Sequence, residues 1–330
     1  MLKICKTPLR VSFFGGGTDY PEYFKKNPGA VLGTSINLYI YLSALKMEEF
    51  CEQRYRLMYS TPESVNKIDD IQHPVIRSIL SIENYTSPLN LSVMSDVPSG
   101  TGLGSSSTFT VGMLNLIKSL KDISYSKSQL ASEATYIERE VLKENVGCQD
   151  QLHAAHGGLN LYEFKNGKII INRIKINKDC YSSLSGSMFL IYTKLKRRAT
   201  HTVKEQLDKT LKHKVSAQLK DIFDHVWEGK RILEQENPSI MLEELGKLLN
   251  ETWSLKKTLS QSVSNNLIDD YHRKITKLGA YGSKLCGAGN GGFMLCLGPK
   301  DIHKKLKDTF GAGNVLNISI EAKGSQIIYS

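Results

Sequence analysis

The sequence predicts an α+β fold in two lobes, residues 1–185 and 186–330. Three observations carry that expectation. A chain of 330 residues is long enough to bury a large core and to divide in two. Its first half sets short apolar or alternating stretches between glycine-rich turns, as strands require. After a long helical tract, its C-terminal end runs strand, helix, strand, the order of a ferredoxin-like α+β unit.

Composition is that of an ordinary globular chain, 40% hydrophobic and 23% charged. The net charge of +10 favours anionic partners such as nucleic acid, acidic lipid or phosphorylated small molecules. Nucleic acid has only the charge in its favour, because no basic platform interleaved with aromatics accompanies it. The most apolar window, residues 30–45, carries Thr34, Ser35, Asn37 and Ser43 and alternates as strands do, so no membrane span is expected. Lys3, Lys6 and Arg10 precede any apolar run, which argues against a secretory signal. Six cysteines without CxxC pairing read as reduced thiols of a cytoplasmic protein and carry no zinc signature. Monomer and homodimer are equally compatible with the chain.

Residues 2–5 and 9–14 read as an opening strand pair split at Thr7-Pro8. The turn Gly15-Gly16-Gly17-Thr18-Asp19 follows, tight enough for backbone to approach a ligand and closed by a carboxylate. Locally it reads equally well as a capped hairpin turn. Ile36, Leu38, Ile40 and Leu42 alternate with polar residues on a half-buried strand. Arg54–Tyr59 gives another strand, residues 60–72 a loop, and His73-Pro74 opens a helix through Ile82.

A strand at Leu89–Val93 leads to Pro98-Ser99-Gly100-Thr101-Gly102-Leu103-Gly104-Ser105-Ser106-Ser107-Thr108, and an apolar-periodic helix follows over 105–121. A glycine loop running into a helix N-terminus converges unpaired amides and a positive dipole end on one point, which suits phosphate. Leu103 inside the loop and the strand before it argue against a flexible Gly/Ser linker. Ser126 and Gln129 have capping-box spacing and open a helix to about Asn145, broken at Gly147. Glu138 and Glu140 on that helix point in different directions, so at most one shares a site with Asp150.

Strands at 158–164 and 168–176 flank Asn166-Gly167, a hairpin signal. The strand Ser187–Tyr192 runs into Lys194-Leu195-Lys196-Arg197-Arg198. Eight Lys/Arg lie between residues 194 and 214, a solvated face by default and an anion subsite if the strand end aims them inward. Residues 215–279 are helical with a break at Asn237-Pro238, and Trp227 and Trp253 serve packing. A second glycine cluster, Lys284 to Gly292, precedes the strand Phe293–Leu297, a helix over 300–310 and strands at 315–320 and 325–329.

Neither cluster has the Gly-Lys-Ser/Thr ending of a Walker loop or the spacing of a dinucleotide-binding turn. In order, however, three motifs resemble those of the GHMP kinases, the small-molecule kinases named for galactokinase, homoserine, mevalonate and phosphomevalonate kinases. Pro8-Leu9-Arg10-Val11 with Gly15 to Tyr20 resembles the N-terminal sugar-kinase motif, Pro98 to Ser107 the phosphate loop, and Lys284 to Gly292 the C-terminal K-x-x-G-A-G-x-G-G motif. The triple glycine, His73-Pro74, Gly147 to Gln151, and Tyr192-Thr193 followed by Arg197 look like the D-glycero-D-manno-heptose 7-phosphate kinase branch. L-fucokinase domains are similar there. Ser107-Thr108 where relatives often have two alanines, and the strongly basic 194–198, depart from the pattern.

The resemblance implies a two-lobed GHMP kinase fold, with an N-terminal ribosomal-protein-S5-like lobe and a ferredoxin-like C-terminal lobe. It implies ATP and Mg²⁺ as cofactors and a sugar phosphate, phosphorylated at its anomeric hydroxyl, as the small-molecule partner. Pro98, Gly100, Thr101, Gly102, Leu103, Gly104, Ser105, Ser106 and Ser107 are then expected at ATP, and Ser106 (next Ser107) with Glu138 at the metal, with Glu140 as the alternative carboxylate. Asp150 is expected as general base or orienting carboxylate for the attacking hydroxyl, with Arg10 as its companion. Gly15, Gly16, Gly17, Thr18, Asp19, Thr193, Gly287, Ala288 and Gly289 are expected around the sugar, and Arg197, helped by Lys194 or Arg198, at its distal phosphate. A sugar-1-kinase for an unphosphorylated sugar and a catalytically inactive binding protein of this fold are the competing readings.

Overall fold

The structure, a computed structural model, describes residues 1–165, 167–195 and 199–330. Asn166 of the expected hairpin turn, and Lys196, Arg197 and Arg198, lie outside the described residues.

The elements of the first half are β1 (Leu2–Phe14), α1 (Pro21–Phe24), β2 (Gly29–Lys46), β3 (Tyr55–Met58), β4 (Glu63–Val65), α2 (Pro74–Ile82), β5 (Leu89–Ser95), α3 (Ser105–Leu120), α4 (Lys127–Tyr136), α5 (Gln149–His156), β6 (Leu159–Lys165) and β7 (Lys168–Arg173). They continue as α6 (Lys178–Gly186), β8 (Met188–Tyr192), α7 (Ala199–Leu211), α8 (Ser216–Leu233), α9 (Pro238–Leu259), α10 (Asn266–Lys277), β9 (Gly282–Leu285), β10 (Phe293–Leu297), α11 (Ile302–Phe310), β11 (Val315–Ile318) and β12 (Gln326–Tyr329).

The expected strand pair at the N-terminus is one continuous strand. β1 pairs antiparallel with β2 from Leu2 opposite Leu45 to Phe14 opposite Leu32, and an irregularity between Pro8 and Leu9 absorbs the proline. The 18-residue β2 serves two partners on its other side, β5 along its C-terminal part and β6 along its N-terminal part. The larger sheet therefore runs β12-β1-β2-β5-β3-β4, with β6 and β7 joined through β2. Its last strand comes from the end of the chain, since Ile4 to Lys6 of β1 pair with β12.

The smaller sheet is antiparallel in the order β11-β8-β10-β9. In chain order its elements are strand, helices, two strands, helix, strand, as the ferredoxin-like expectation requires. With its mixture of helices and strands in two sheets, the fold is α+β. α3 and α5 lie on β1 and β2, so the helices whose first turns carry Ser105–Ser107 and Asp150 rest on the strand that carries Arg10.

Ser126 caps α4 as the spacing predicts, accepting from the Gln129 amide while the Gln129 side chain accepts from the Ser126 amide. The helix does not reach Asn145. It widens into a π turn at Ile137–Val141, closed by the Leu142 amide on Ile137 oxygen at 2.9 Å, and Lys143 turns the chain at φ +56°. Trp253 is fully buried, whereas Trp227 is partly exposed beside Phe223. All six cysteines are free thiols. Among the described residues no helix is long and apolar enough to cross a membrane.

Candidate active site

A cleft of about 550 Å³ opens where the first turns of α3 and α5, the end of β1 and the second glycine cluster meet. Gly100, Gly102 and Gly104 stand at φ +73°, +84° and +78°, conformations that L side chains resist. Gly104 hands the chain to α3, whose first closing bond runs from the Thr108 amide to Gly104 oxygen at 2.9 Å. The amides of Ser105, Ser106 and Ser107 precede that bond, and all three residues line the cleft. Pro98, Thr101 and Leu103 lie off the lining. The Thr101 hydroxyl donates to Pro98 oxygen at 3.0 Å, and buried Leu103 accepts the Arg10 amide at 3.1 Å.

Only glycine fits at 102. A Cβ there would lie 2.6 Å from the carbonyl oxygen of Cys286, in the second glycine cluster. The Phe293 amide also donates to Thr101 oxygen at 3.1 Å, so the two glycine clusters touch backbone to backbone.

Arg10 and Asp150 face each other across this junction. Arg10 Nε donates to Asp150 Oδ1 at 2.7 Å and Nη2 to Oδ2 at 2.8 Å, a two-pronged pair, while Nη1 donates to Gly102 oxygen at 2.7 Å. Arg10 is buried, and the Asp150 side chain keeps 25% exposure toward the cleft. Gly104 closes the third side, since a Cβ there would be 3.3 Å from Asp150 Oδ2.

The serine paired with Glu138 is Ser107, not Ser106. Ser107 Oγ donates to Glu138 Oε2 at 2.7 Å, and Gln151 Nε2 donates to the same oxygen at 2.5 Å and to Ser107 Oγ at 3.1 Å. Glu138 is fully buried, and burial pushes its carboxyl up to about 7 against the hydrogen bonds that favour the ion. Its Oε1 makes no hydrogen bond of ordinary geometry among the described residues, although the Thr110 hydroxyl also favours the ion. Glu140 stays on the surface beside Lys143.

The opposite wall is the Gly15–Asp19 turn. Gly16, Gly17 and Asp19 line the cleft, while Gly15 and Thr18 build the turn: the Thr18 hydroxyl bridges Gly15 and Ala30 oxygens at 2.8 Å each. Asp19 accepts the Gly17 amide at 3.1 Å and the Gln149 amide at 3.2 Å, which seats α5 against the turn. Burial, and then the Asp150 charge, raise its carboxyl above the usual range.

Gly287 and Ala288 line the cleft. Gly289 instead backs onto Val263, where a Cβ would lie 2.7 Å from Val263 Cα. Thr193, expected at the sugar, is buried away from the lining. Its amide and hydroxyl both donate to Gly292 oxygen, at 2.9 and 2.8 Å, so it anchors the second glycine cluster. Lys194 is exposed, off the lining, at φ +61°.

Several lining residues went unassigned in the sequence. Lys284 donates to Ser12 and Phe13 oxygens at 2.8 Å each, tying β9 to the end of β1, and burial pulls its ammonium down to about 8. Its place at the head of a glycine cluster was the available signal. Lys256, whose Nζ donates to Gly287 oxygen, and Gln206, donating to Ala288 oxygen at 3.2 Å, come from long helices where periodicity alone does not say which turn meets a cleft.

Residues 73–158 match the family model described as GHMP kinases N terminal domain, and residues 239–312 the one described as GHMP kinases C terminal. The D-glycero-alpha-D-manno-heptose 7-phosphate kinase of Campylobacter jejuni is 32% identical, over 88% of this chain and 87% of its own. The galactokinase of Pyrococcus furiosus is 26% identical, over 96% and 95%. A crystal structure of a D-glycero-D-manno-heptose 1-phosphate kinase from Bacteroides thetaiotaomicron shares the fold at a TM-score of 0.76, with 23% identity and full coverage of both chains.

Proposed function

The chain belongs to the GHMP kinases, and on that premise we propose that it transfers the γ-phosphoryl group of ATP to the anomeric hydroxyl of D-glycero-D-manno-heptose 7-phosphate. That it is an ATP-dependent sugar kinase follows from the family and its relatives. The finer reading rests on the heptose 7-phosphate kinase relative together with one observation, the Arg10–Asp150 pair seated against Gly104 at the mouth of the phosphate loop.

In this reading the ATP phosphates lie on the amides of Ser105–Ser107 and the positive end of α3. Asp150 takes the proton of the anomeric hydroxyl as its oxygen forms the bond to the γ-phosphorus and the bond to the β-phosphate oxygen breaks, leaving ADP. Arg10 holds and orients Asp150 through both its oxygens, and its charge faces the developing negative charge of the transferred group. Asp19, Gly16 and Gly17 form the wall for the sugar. Arg197, outside the described residues, keeps its assignment to the distal phosphate, and Lys256 adds a cation to the cleft lining.

Mg²⁺ fits the residues present. Glu138 has one buried oxygen, Oε1, without a hydrogen-bond partner among the described residues, Ser107 meets its other oxygen, Oε2, from the cleft lining, and one carboxylate with one hydroxyl suits a cation that keeps water and phosphate as its other ligands. Ser107 and Glu138 would hold it, and its charge would offset that of the β- and γ-phosphates.

A coupled ADP-release assay over a panel of sugars and sugar phosphates, with Asp150→Asn as control, tests the reading. Turnover of heptose 7-phosphate far above every unphosphorylated sugar is expected. Preference for L-fucose or another unphosphorylated sugar would replace the substrate. No ADP release with any sugar would point to a binding protein.

A further inference from the structure

Between Asp19 and Asp150, the two carboxylates of the sugar wall, stands a side chain that the reaction as described leaves unused. Gln149 is the first residue of α5 and lines the cleft. Its backbone is fixed by the N–H that donates to Asp19 Oδ2, and its side-chain Nε2 lies beside Gly16, where a Cβ would be 3.7 Å away. Its carbonyl Oε1 is buried and has no hydrogen-bond partner among the described residues. The neighbouring acceptors are differently placed: each oxygen of Asp150 accepts from Arg10 and keeps lone pairs for the reacting hydroxyl, and Asp19 accepts two backbone amides. A buried acceptor left unpaired costs about 1–3 kcal/mol, which a fold retains where something else completes it.

We infer that Gln149 is a specificity-determining residue whose side-chain amide binds a ring hydroxyl of the sugar close to the one that reacts. This rests on the reading of the cleft as a sugar site. A hydroxyl is the group an amide at this point selects, because it donates to Oε1 and would equally accept from Nε2 were the amide turned over. A carboxylate or phosphate, which only accepts, would pair with Nε2 alone, leave Oε1 unpaired and set a third anionic group near Asp19 and Asp150. An apolar substituent would leave it unpaired as well. The site therefore discriminates against a deoxy sugar through its own buried polar atom.

The test compares Gln149→Met, close in size and without the amide, with the parent chain in the ADP-release assay and in thermal melting. Expected are a rise in sugar KM of about 10-fold or more, the size of one lost neutral hydrogen bond, an ATP KM within about 2-fold, and a Tm equal to or above the parent's. With the parent chain, one deoxy sugar of a positional series should lose about as much as the variant does, and the variant should no longer distinguish that sugar from the full one. An unchanged sugar KM overturns the inference, as does a lowered Tm with sugar and ATP KM rising together, which would make the amide a structural group. Equal use of every deoxy sugar by the parent chain overturns it without recourse to a variant. If the parent chain turns over a sugar other than heptose 7-phosphate, the substrate reading fails, and the same KM comparison on that sugar still decides for or against Gln149.

Discussion

Arg10 grips both oxygens of Asp150 while its third nitrogen holds the Gly102 carbonyl, so one guanidinium joins the carboxylate at the cleft to the loop beside it. Replacing Asp150 by Asn keeps the shape and removes the proton acceptor. A fall in kcat of roughly 100- to 10,000-fold with little change in ATP KM is expected. Single-turnover ADP release measures it, and a kcat within a few-fold of the parent's would remove Asp150 from the chemistry.

The contact between the two glycine clusters makes Gly102→Ala a test of the loop. The new methyl would sit 2.6 Å from a backbone carbonyl at φ +84°, where neither neighbour can yield as a flexible side chain would. A stability loss on the order of 2 kcal/mol and a raised ATP KM are expected. Denaturant unfolding and ATP titration read the two effects, and wild-type behaviour in both would mean the clusters do not meet.

Lys284 gives the cleft a pH signature. Its ammonium titrates at about 8 in the fold and near its ordinary 10.5 when unfolded, so the unfolded chain binds the proton more tightly. Stability attributable to this residue therefore rises between about pH 8 and 10.5, by up to about 3 kcal/mol, and is lost as pH falls through the lower value. Subtracting the Tm profile of Lys284→Met cancels the other groups that titrate in this window. A flat difference curve would contradict the buried ammonium.

The Ser107–Glu138 bond predicts which serine governs metal dependence. Ser107→Ala is expected to raise the Mg²⁺ concentration for half-maximal rate by about 10-fold, the effect of losing one ligand-sized interaction, and Ser106→Ala to raise it less. The reverse order would restore Ser106 to the metal.

Much of the fold and part of the site were legible because their signals are local. The capping box at Ser126 and the start of α3 after Gly104 depend on neighbours within a turn, and both lie where the spacing predicts. The long first strand was not legible, because Pro8 breaks a strand only if no bulge absorbs it, and the bulge belongs to the pairing with β2. The end of α4 was missed for a similar reason. The π turn that stops it carries Glu138, which is buried against Ser107 and Gln151, residues from other helices that the local pattern does not show.

By itself the sequence determined the order of three glycine-rich motifs and an α+β fold class, and it named candidate residues for phosphoryl transfer. Tertiary structure alone decided which of them meet. Ser107 rather than Ser106 reaches Glu138, Thr193 serves Gly292, Lys284 crosses to β1, and Gln149 faces the cleft with its carbonyl unspent. The reason is geometric. Residue type and spacing set what a side chain can do and the face it occupies on its own element, but one helical step turns it by about 100°. What lies opposite depends on strand register and helix packing over the whole chain.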